Sequence, residues 1–113
     1  MWKIVTVDVF DEWFLSLTED EQVDVLASVQ LLEMLGPRLG RPHVDTLHGS
    51  PIINLKELRI QHRGKPFRVL FVFDPERQAV LLCGGMKSGD KRFYQRMIAL
   101  AQREYARYLG REK

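Results

Sequence analysis

The stretch LKELRIQHRGKPFRVLFVFDPERQAVLLCGG, residues 55–85, decides the fold. Its apolar residues recur with a period of two and are interrupted twice, by RGK and by PERQ, both credible hairpin turns. The pattern predicts three antiparallel strands, LKELRIQ, PFRVLFVFD and AVLLCGG. Residues 67–73 and 80–82 are apolar on both faces, which places those two strands at the centre of the sheet. A tight RGK turn with Gln61 facing Pro66 sets Arg59 opposite Arg68 and Glu57 opposite Leu70. Counting on through PERQ with Asp74 opposite Ala79 brings Gly85 beside Arg68. Two arginines facing each other repel, so the pair needs a carboxylate such as Glu57, or a bound anion.

Outside this core the period changes. Residues 2–7 alternate and are β-branched, which predicts a first strand. Phe10, Trp13, Phe14 and Leu17 follow at i, i+3, i+4 and i+7, a short helix with one aromatic stripe. Thr18 and Glu21 have capping-box spacing and open a second helix that ends at Leu35 before Gly36 and Pro37. Residues 36–51 read as a loop with a short extended piece at 44–47. Residues 90–109 carry Tyr94, Met97, Ile98, Ala101, Tyr105 and Tyr108 on one helical face. The expected order is β-α-α-β-β-β-α. It describes one α+β domain over residues 1–113, a mostly antiparallel sheet with helices packed on one face.

Composition narrows the function. Hydrophobic residues make up 45% of the 113, too many for a disordered chain, and a single cysteine, Cys83, excludes an internal disulfide or a multi-cysteine zinc site. No apolar run approaches the about 20 residues of a membrane span, so a soluble, cytoplasmic protein with no membrane partner is expected. The net charge of +2 hides an asymmetry: residues 1–53 hold three bases and nine acids, whereas residues 54–113 hold 14 bases and six acids. Such a split suits a chain that meets a polyanion on one side only.

The bases expected to converge are Lys56, Arg59, Arg68, Lys87 and Lys91, on a face opposite the acidic helices. The segment CGGMKSGDK, residues 83–91, lacks the glycine spacing and βαβ context of a nucleotide P-loop. Two readings stand beside each other there. Gly84, Gly85 and Gly89 allow close backbone approach, and a helix starting near Asp90 would aim its N–H groups at a phosphate; or Asp90 is an ordinary N-cap that occupies those groups itself. His43, His48 and Asp45 share a loop without strict metal spacing and read as surface residues. No Ser/His/Asp or Cys/His set is readable, and Cys83 reads as a small buried residue. Arg103, Arg107, Arg111 and Lys113 read as the solvated side of the last helix.

The runs LKELRI, FRVLFVFD and LLCGGMKSGDKRFY, the last leading into a helix, resemble the HigB-like, phage-derived branch of the RelE/ParE toxin superfamily. The resemblance implies the toxin of a type II toxin–antitoxin pair that cuts mRNA, generally on the ribosome, without a metal or other cofactor. It also implies a cognate antitoxin, often a helix-turn-helix protein in this branch. Carried onto this chain, the family's basic sheet positions match Lys56, Arg59 and Arg68, and its post-strand segment matches Lys87, Lys91 and Tyr94. Gly85 and Ser88 lie in that segment, and Phe93 or Tyr94 would stack on a base. Some members place a histidine or tyrosine near the end of the last strand, where this chain has Cys83, Gly84, Gly85 and Met86; acid–base duty then falls on lysines. The alternative is a non-catalytic RNA- or protein-binding module, or a toxin of the superfamily with a non-RNA target, using the same basic patch.

Overall fold

The capping box at Thr18 forms as its spacing predicts: Thr18 Oγ1 accepts the Glu21 N–H at 3.2 Å, and Glu21 Oε1 accepts the Thr18 N–H at 2.9 Å. It starts the second of three helices in a computed structural model that describes residues 1–111. The elements are β1 (Lys3–Thr6), α1 (Asp8–Leu15), α2 (Glu19–Leu35), β2 (Val44–Thr46), β3 (Lys56–His62), β4 (Lys65–Phe73), β5 (Gln78–Met86) and α3 (Phe93–Arg111), with a 3₁₀ turn at Gly36–Arg38. Class and order are those expected; the solvated role read for Lys113 falls outside the described residues. The Cα radius of gyration is 13.1 Å, the compactness expected of a folded chain of this length.

Strand order in the sheet is β1-β5-β4-β3-β2, with β4 and β5 flanked on both sides. The pairings among β2, β3, β4 and β5 are antiparallel, and β1 runs parallel to β5. That parallel pair makes the sheet mixed. It arises because α1 and α2 follow β1 and return the chain to the far edge of the sheet, leaving β1 beside β5.

Register follows from two turns and one bulge. Arg63 and Gly64 take positive φ angles of 47° and 82°, the conformation of a two-residue hairpin turn, and Gln61 faces Pro66. Arg59 therefore stands opposite Arg68 and Glu57 opposite Leu70. The second turn is one residue shorter than expected: the Asp74 N–H donates to the Gln78 carbonyl at 2.9 Å, Arg77 takes φ 61°, and Ala79 faces Phe73 rather than Asp74. A bulge in β5 absorbs the difference, because Leu70 faces Cys83 while Phe71 faces Leu81. Gly85 still reaches Arg68.

The helices do not share one face. Phe10, Val25 and Leu32 from α1 and α2 pack with Leu58, Ile60, Phe67, Val69, Phe71 and Leu81. Met97, Ala101 and Tyr108 from α3 pack with Leu70, Val72, Val80 and Leu82. Successive strand residues point to opposite sides, so the sheet is sandwiched between α1 and α2 on one face and α3 on the other. The apolar alternation of β4 on both faces, from Phe67 to Phe73, is the sequence-level reason: each face needs a cover.

α1 and α2, with sequences DVFDEWFL and EDEQVDVLASVQLLEML, carry eight acids and no base. The acidic layer thus lies against the sheet face opposite α3.

Candidate functional site: an arginine pair on the sheet

Arg59 and Arg68 face the α3 side of the sheet, on the same side as Glu57 and Leu70. Between them lies Glu57, only 2% exposed. Its Oε2 is 3.1 Å from Arg59 Nη2 and its Oε1 is 3.4 Å from Arg68 Nε. Asp45, the neighbour of Glu57 across the β2–β3 ladder, takes a second contact from Arg59 at 3.3 Å and one from Arg41 at 3.1 Å. Those guanidinium contacts, Arg41 foremost, and the Thr46 N–H hold the Asp45 carboxyl below the usual carboxylate range, against the opposing cost of desolvation. Two carboxylates thus relieve the repulsion that the facing arginines would otherwise suffer.

Tyr94, in the first turn of α3, closes the cluster from above. Its hydroxyl donates to Glu57 Oε1 at 2.6 Å. Burial pushes the phenol up from its ordinary value, the bond to Glu57 adds to this, and Arg68 opposes it. The Lys87 ammonium sits 5.4 Å from the centre of the Tyr94 ring. Arg68 Nη1 donates to the Phe67 carbonyl at 3.0 Å, while Nε is covered and makes no hydrogen bond among the described residues. Arg59 keeps a side-chain exposure of 36% and is the more open of the two.

β2 begins at Val44, opposite Leu58, so among the described residues no strand covers the β3 edge from Ile60 to His62. A cleft of about 380 Å³ opens there, lined by Ser28, Pro42, His43, Arg59, Ile60, Gln61 and Arg68. His43 is anchored through its backbone, its carbonyl accepting the Arg59 N–H at 2.8 Å. The cleft thus presents two guanidinium groups and an imidazole. With Tyr94 and Lys87 on the β5 side, this set suits a phosphodiester: a guanidinium grips phosphate oxygens bidentately and stays charged.

The structure brings together Arg59, Arg68, Lys87 and Tyr94 of the residues singled out from sequence, and separates the others. Lys56 shares its face with Leu58 on the α1 and α2 side, and its ammonium donates to Thr46 Oγ1 at 2.9 Å. Phe93 is 3% exposed and packs in the core, so its ring is not free to stack on a base. Gly85 is half-buried, and a Cβ there would lie 3.3 Å from Phe93 and 3.4 Å from Met97. Ser88 and Lys91 sit exposed in the turn before α3. In that turn Asp90 Oδ1 accepts the Arg92 N–H at 2.9 Å and the carboxylate pairs with Arg96, contacts that hold it below the usual carboxylate range. Asp90 therefore occupies one backbone N–H of the turn ahead of α3, which itself starts three residues later at Phe93.

Sequence reading underused two residues. Glu57 was legible as a partner for the arginines but not as the hub joining them to Tyr94. His43 is a surface residue as read, but only the loop path sets it beside Arg59.

The mixed five-stranded sheet, with α1 and α2 on one face and α3 on the other, defines a RelE-like α+β protein. The isolated Escherichia coli RelE toxin superposes with a TM-score of 0.60 at 11% identity, covering 86% of this chain and 96% of that one. A chain of the intact Escherichia coli RelBE toxin–antitoxin complex superposes with a TM-score of 0.55 at 13% identity, covering 78% and 99%. The family model described as phage derived protein Gp49-like (DUF891) matches residues 12–106. HigB3, a candidate toxin of Mycobacterium tuberculosis, is 42% identical over 110 residues, covering 96% of this chain and 95% of that protein. HigB2 of the same organism is 39% identical over 106 residues, covering 92% of this chain and 53% of that longer protein. The chain belongs to the phage-derived Gp49-like family, the HigB-like branch of the RelE superfamily of toxins.

Proposed function

We propose that this chain is the toxin of a type II toxin–antitoxin pair and acts as a metal-independent endoribonuclease on ribosome-bound mRNA. The observation that carries this reading is the cross-strand pair Arg59 and Arg68, bordering an open cleft at the β3 edge. The family and the toxin names of its relatives support the toxin assignment, and the RelBE complex supports an antitoxin partner.

Cleavage by this route passes the 2′-hydroxyl proton to a base as the 2′-oxygen bonds to phosphorus. The P–O5′ bond then breaks and the 5′-oxygen takes a proton. Arg59, with Arg68 behind it, stabilises the extra negative charge on phosphorus. Of the titratable groups around the pair, Glu57, Asp45 and Tyr94 are engaged with one another or with the arginines, whereas His43 on the β3 edge and Lys87 beside Tyr94 are exposed. Proton transfer falls to these two. Lys91 lies in the adjacent exposed turn and adds positive potential for the RNA backbone.

A second reading, a binding module without catalysis, draws on Glu57 and Asp45, which already neutralise part of the arginine charge. Induction of the wild-type chain and of Arg59→Ala plus Arg68→Ala separates the two. The nuclease reading expects growth arrest with cut transcripts from the wild type and neither from the double variant. Arrest with intact transcripts would remove the nuclease reading.

A further inference from the structure

α2 is apolar on two sides. Val25, Val29, Leu32 and Leu35 face the sheet and belong to its core, whereas Val23, Leu26, Leu31 and Met34 face outward at helical spacing. Val23 is 63% exposed, Leu26 49% and Met34 61%. A surface helix normally keeps one apolar stripe, so the second stripe is unexplained by the fold. Leu26 also forms one wall of a cavity of about 210 Å³ whose other walls include Ile4, Phe10, Phe14 and Val29. Stripe and cavity are therefore one continuous apolar surface, of a kind that marks interaction sites on soluble proteins.

The charge around it is mostly acidic, with Arg63 and His62 beside Val23 at one end. Asp11 stands at the cavity, and Asp8, Glu12, Glu19 and Glu33 lie on the same two helices, none of which carries a base. Asp20, Glu21 and Asp24 pair with Arg63, Lys65 and His62, but Asp8, Asp11, Glu12, Glu19 and Glu33 make no ion pair among the described residues. Five carboxylates without cationic partners repel RNA and attract a positive protein surface.

We propose that the outward face of α2 and the cavity beside Leu26 form a docking surface for a basic amphipathic helix of a partner protein. The helix would seat apolar side chains along Val23, Leu26 and Met34 and in the cavity, with lysines or arginines meeting the acidic rim. This surface lies across the sheet from the arginine pair. Identifying the partner as the antitoxin rests on the toxin reading, whereas the chemistry of the surface does not. Neutralisation through this face would act by blocking the toxin's approach to its target rather than by filling the cleft.

The test is calorimetric titration of the intact chain with a capped peptide of about 18 residues, leucine at i, i+3, i+4 and i+7 and lysine elsewhere. A matched peptide with glutamate for lysine is the control. The proposal expects binding of the lysine peptide alone, weakened about tenfold or more in Leu26→Gln plus Met34→Gln, with unchanged circular dichroism and an unchanged response in Arg59→Ala. Equal binding of both peptides, unchanged binding by the double variant, or loss of binding in Arg59→Ala would overturn it. A wild-type dimer in sedimentation that the double variant dissolves would also overturn it, by assigning the face to a second copy. Growth arrest on induction is read separately: arrest by Leu26→Gln plus Met34→Gln equal to wild type supports both readings, and a wild type that arrests nothing removes the toxin reading while leaving the binding result to stand.

Discussion

Tyr94 donates its hydroxyl to Glu57 at 2.6 Å, and through that one carboxylate the first turn of α3 is tied to both sheet arginines. The cluster spans β2, β3, β4 and α3, so its geometry depends on all four elements being in place.

Removing the hub should therefore be costly. Glu57→Ala leaves two guanidinium groups facing each other with Arg68 largely covered, and a broken buried pair typically costs about 3 to 5 kcal/mol. Because Arg59 is 36% exposed and water screens it, the lower end, about 3 kcal/mol, is expected from urea unfolding. A loss under about 0.5 kcal/mol, the range of ordinary surface substitutions, would contradict the hub role.

Tyr94→Phe tests the same bond from the other side. It deletes one hydrogen bond to a charged acceptor and should cost about 1 to 2 kcal/mol at neutral pH. Its pH dependence has a definite sign. The folded phenol ionises above the ordinary tyrosine value, so the stability it contributes is fully present below about pH 10 and is lost as pH rises through the higher folded value. Unfolding free energies measured from pH 9 upward should fall in the wild type, with that component missing in Tyr94→Phe.

Face assignment separates two lysines. Lys56 points to the α1 and α2 side and is held by Thr46, whereas Lys87 lies against Tyr94. Lys87→Ala should lower RNA cleavage by about 100-fold or more, within the range of general acid–base groups, and Lys56→Ala should leave it nearly unchanged. The ranking is read from single-turnover cleavage rates, and the reverse order would contradict it.

Adjacent glycines in β5 should respond differently to alanine. A Cβ on Gly84 would meet the Trp13 ring at 2.3 Å, while one on Gly85 meets the side-chain ends of Phe93 and Met97 at 3.3 and 3.4 Å. Overpacking of the first kind costs about 1 to 3 kcal/mol. Thermal unfolding should show Gly84→Ala clearly destabilised and Gly85→Ala close to wild type.

Cys83 is fully buried, and burial, aided by the negative charge of Glu104, pushes its thiol up to about 12. Since the thiolate is the nucleophile, the folded chain should resist iodoacetamide at pH 8 and react only after unfolding. Rapid labelling of the native protein, followed by mass spectrometry, would show that the strand is more open than described.

Much of this was legible in residues 55–85. The RGK turn fixed the β3–β4 register because Arg63-Gly64 suits a two-residue turn, and that register alone predicts Arg59 opposite Arg68. The alignment of Arg68 with Gly85 was reached through two compensating errors, a turn one residue shorter and a bulge at Leu82, neither of which leaves a mark in the periodicity. β1 pairing parallel to β5 was hidden because alternation within one strand says nothing about its neighbour. Lys56 was grouped with Arg59 although three positions of strand separate them, and an odd spacing puts two side chains on opposite faces. His43 lay in a loop, where no period indicates direction.

The central claim is that Arg59 and Arg68 stabilise charge on a cleaved phosphodiester. Its most direct measurement is primer extension on an mRNA translated in a reconstituted system containing purified wild-type protein or a folded Arg59→Gln variant. The account predicts discrete new 5′ ends with the wild type and cleavage reduced about 100-fold in the variant, the scale of losing one donor to a developing anion. Equal cleavage by both proteins, or intact mRNA with the wild type, would contradict it.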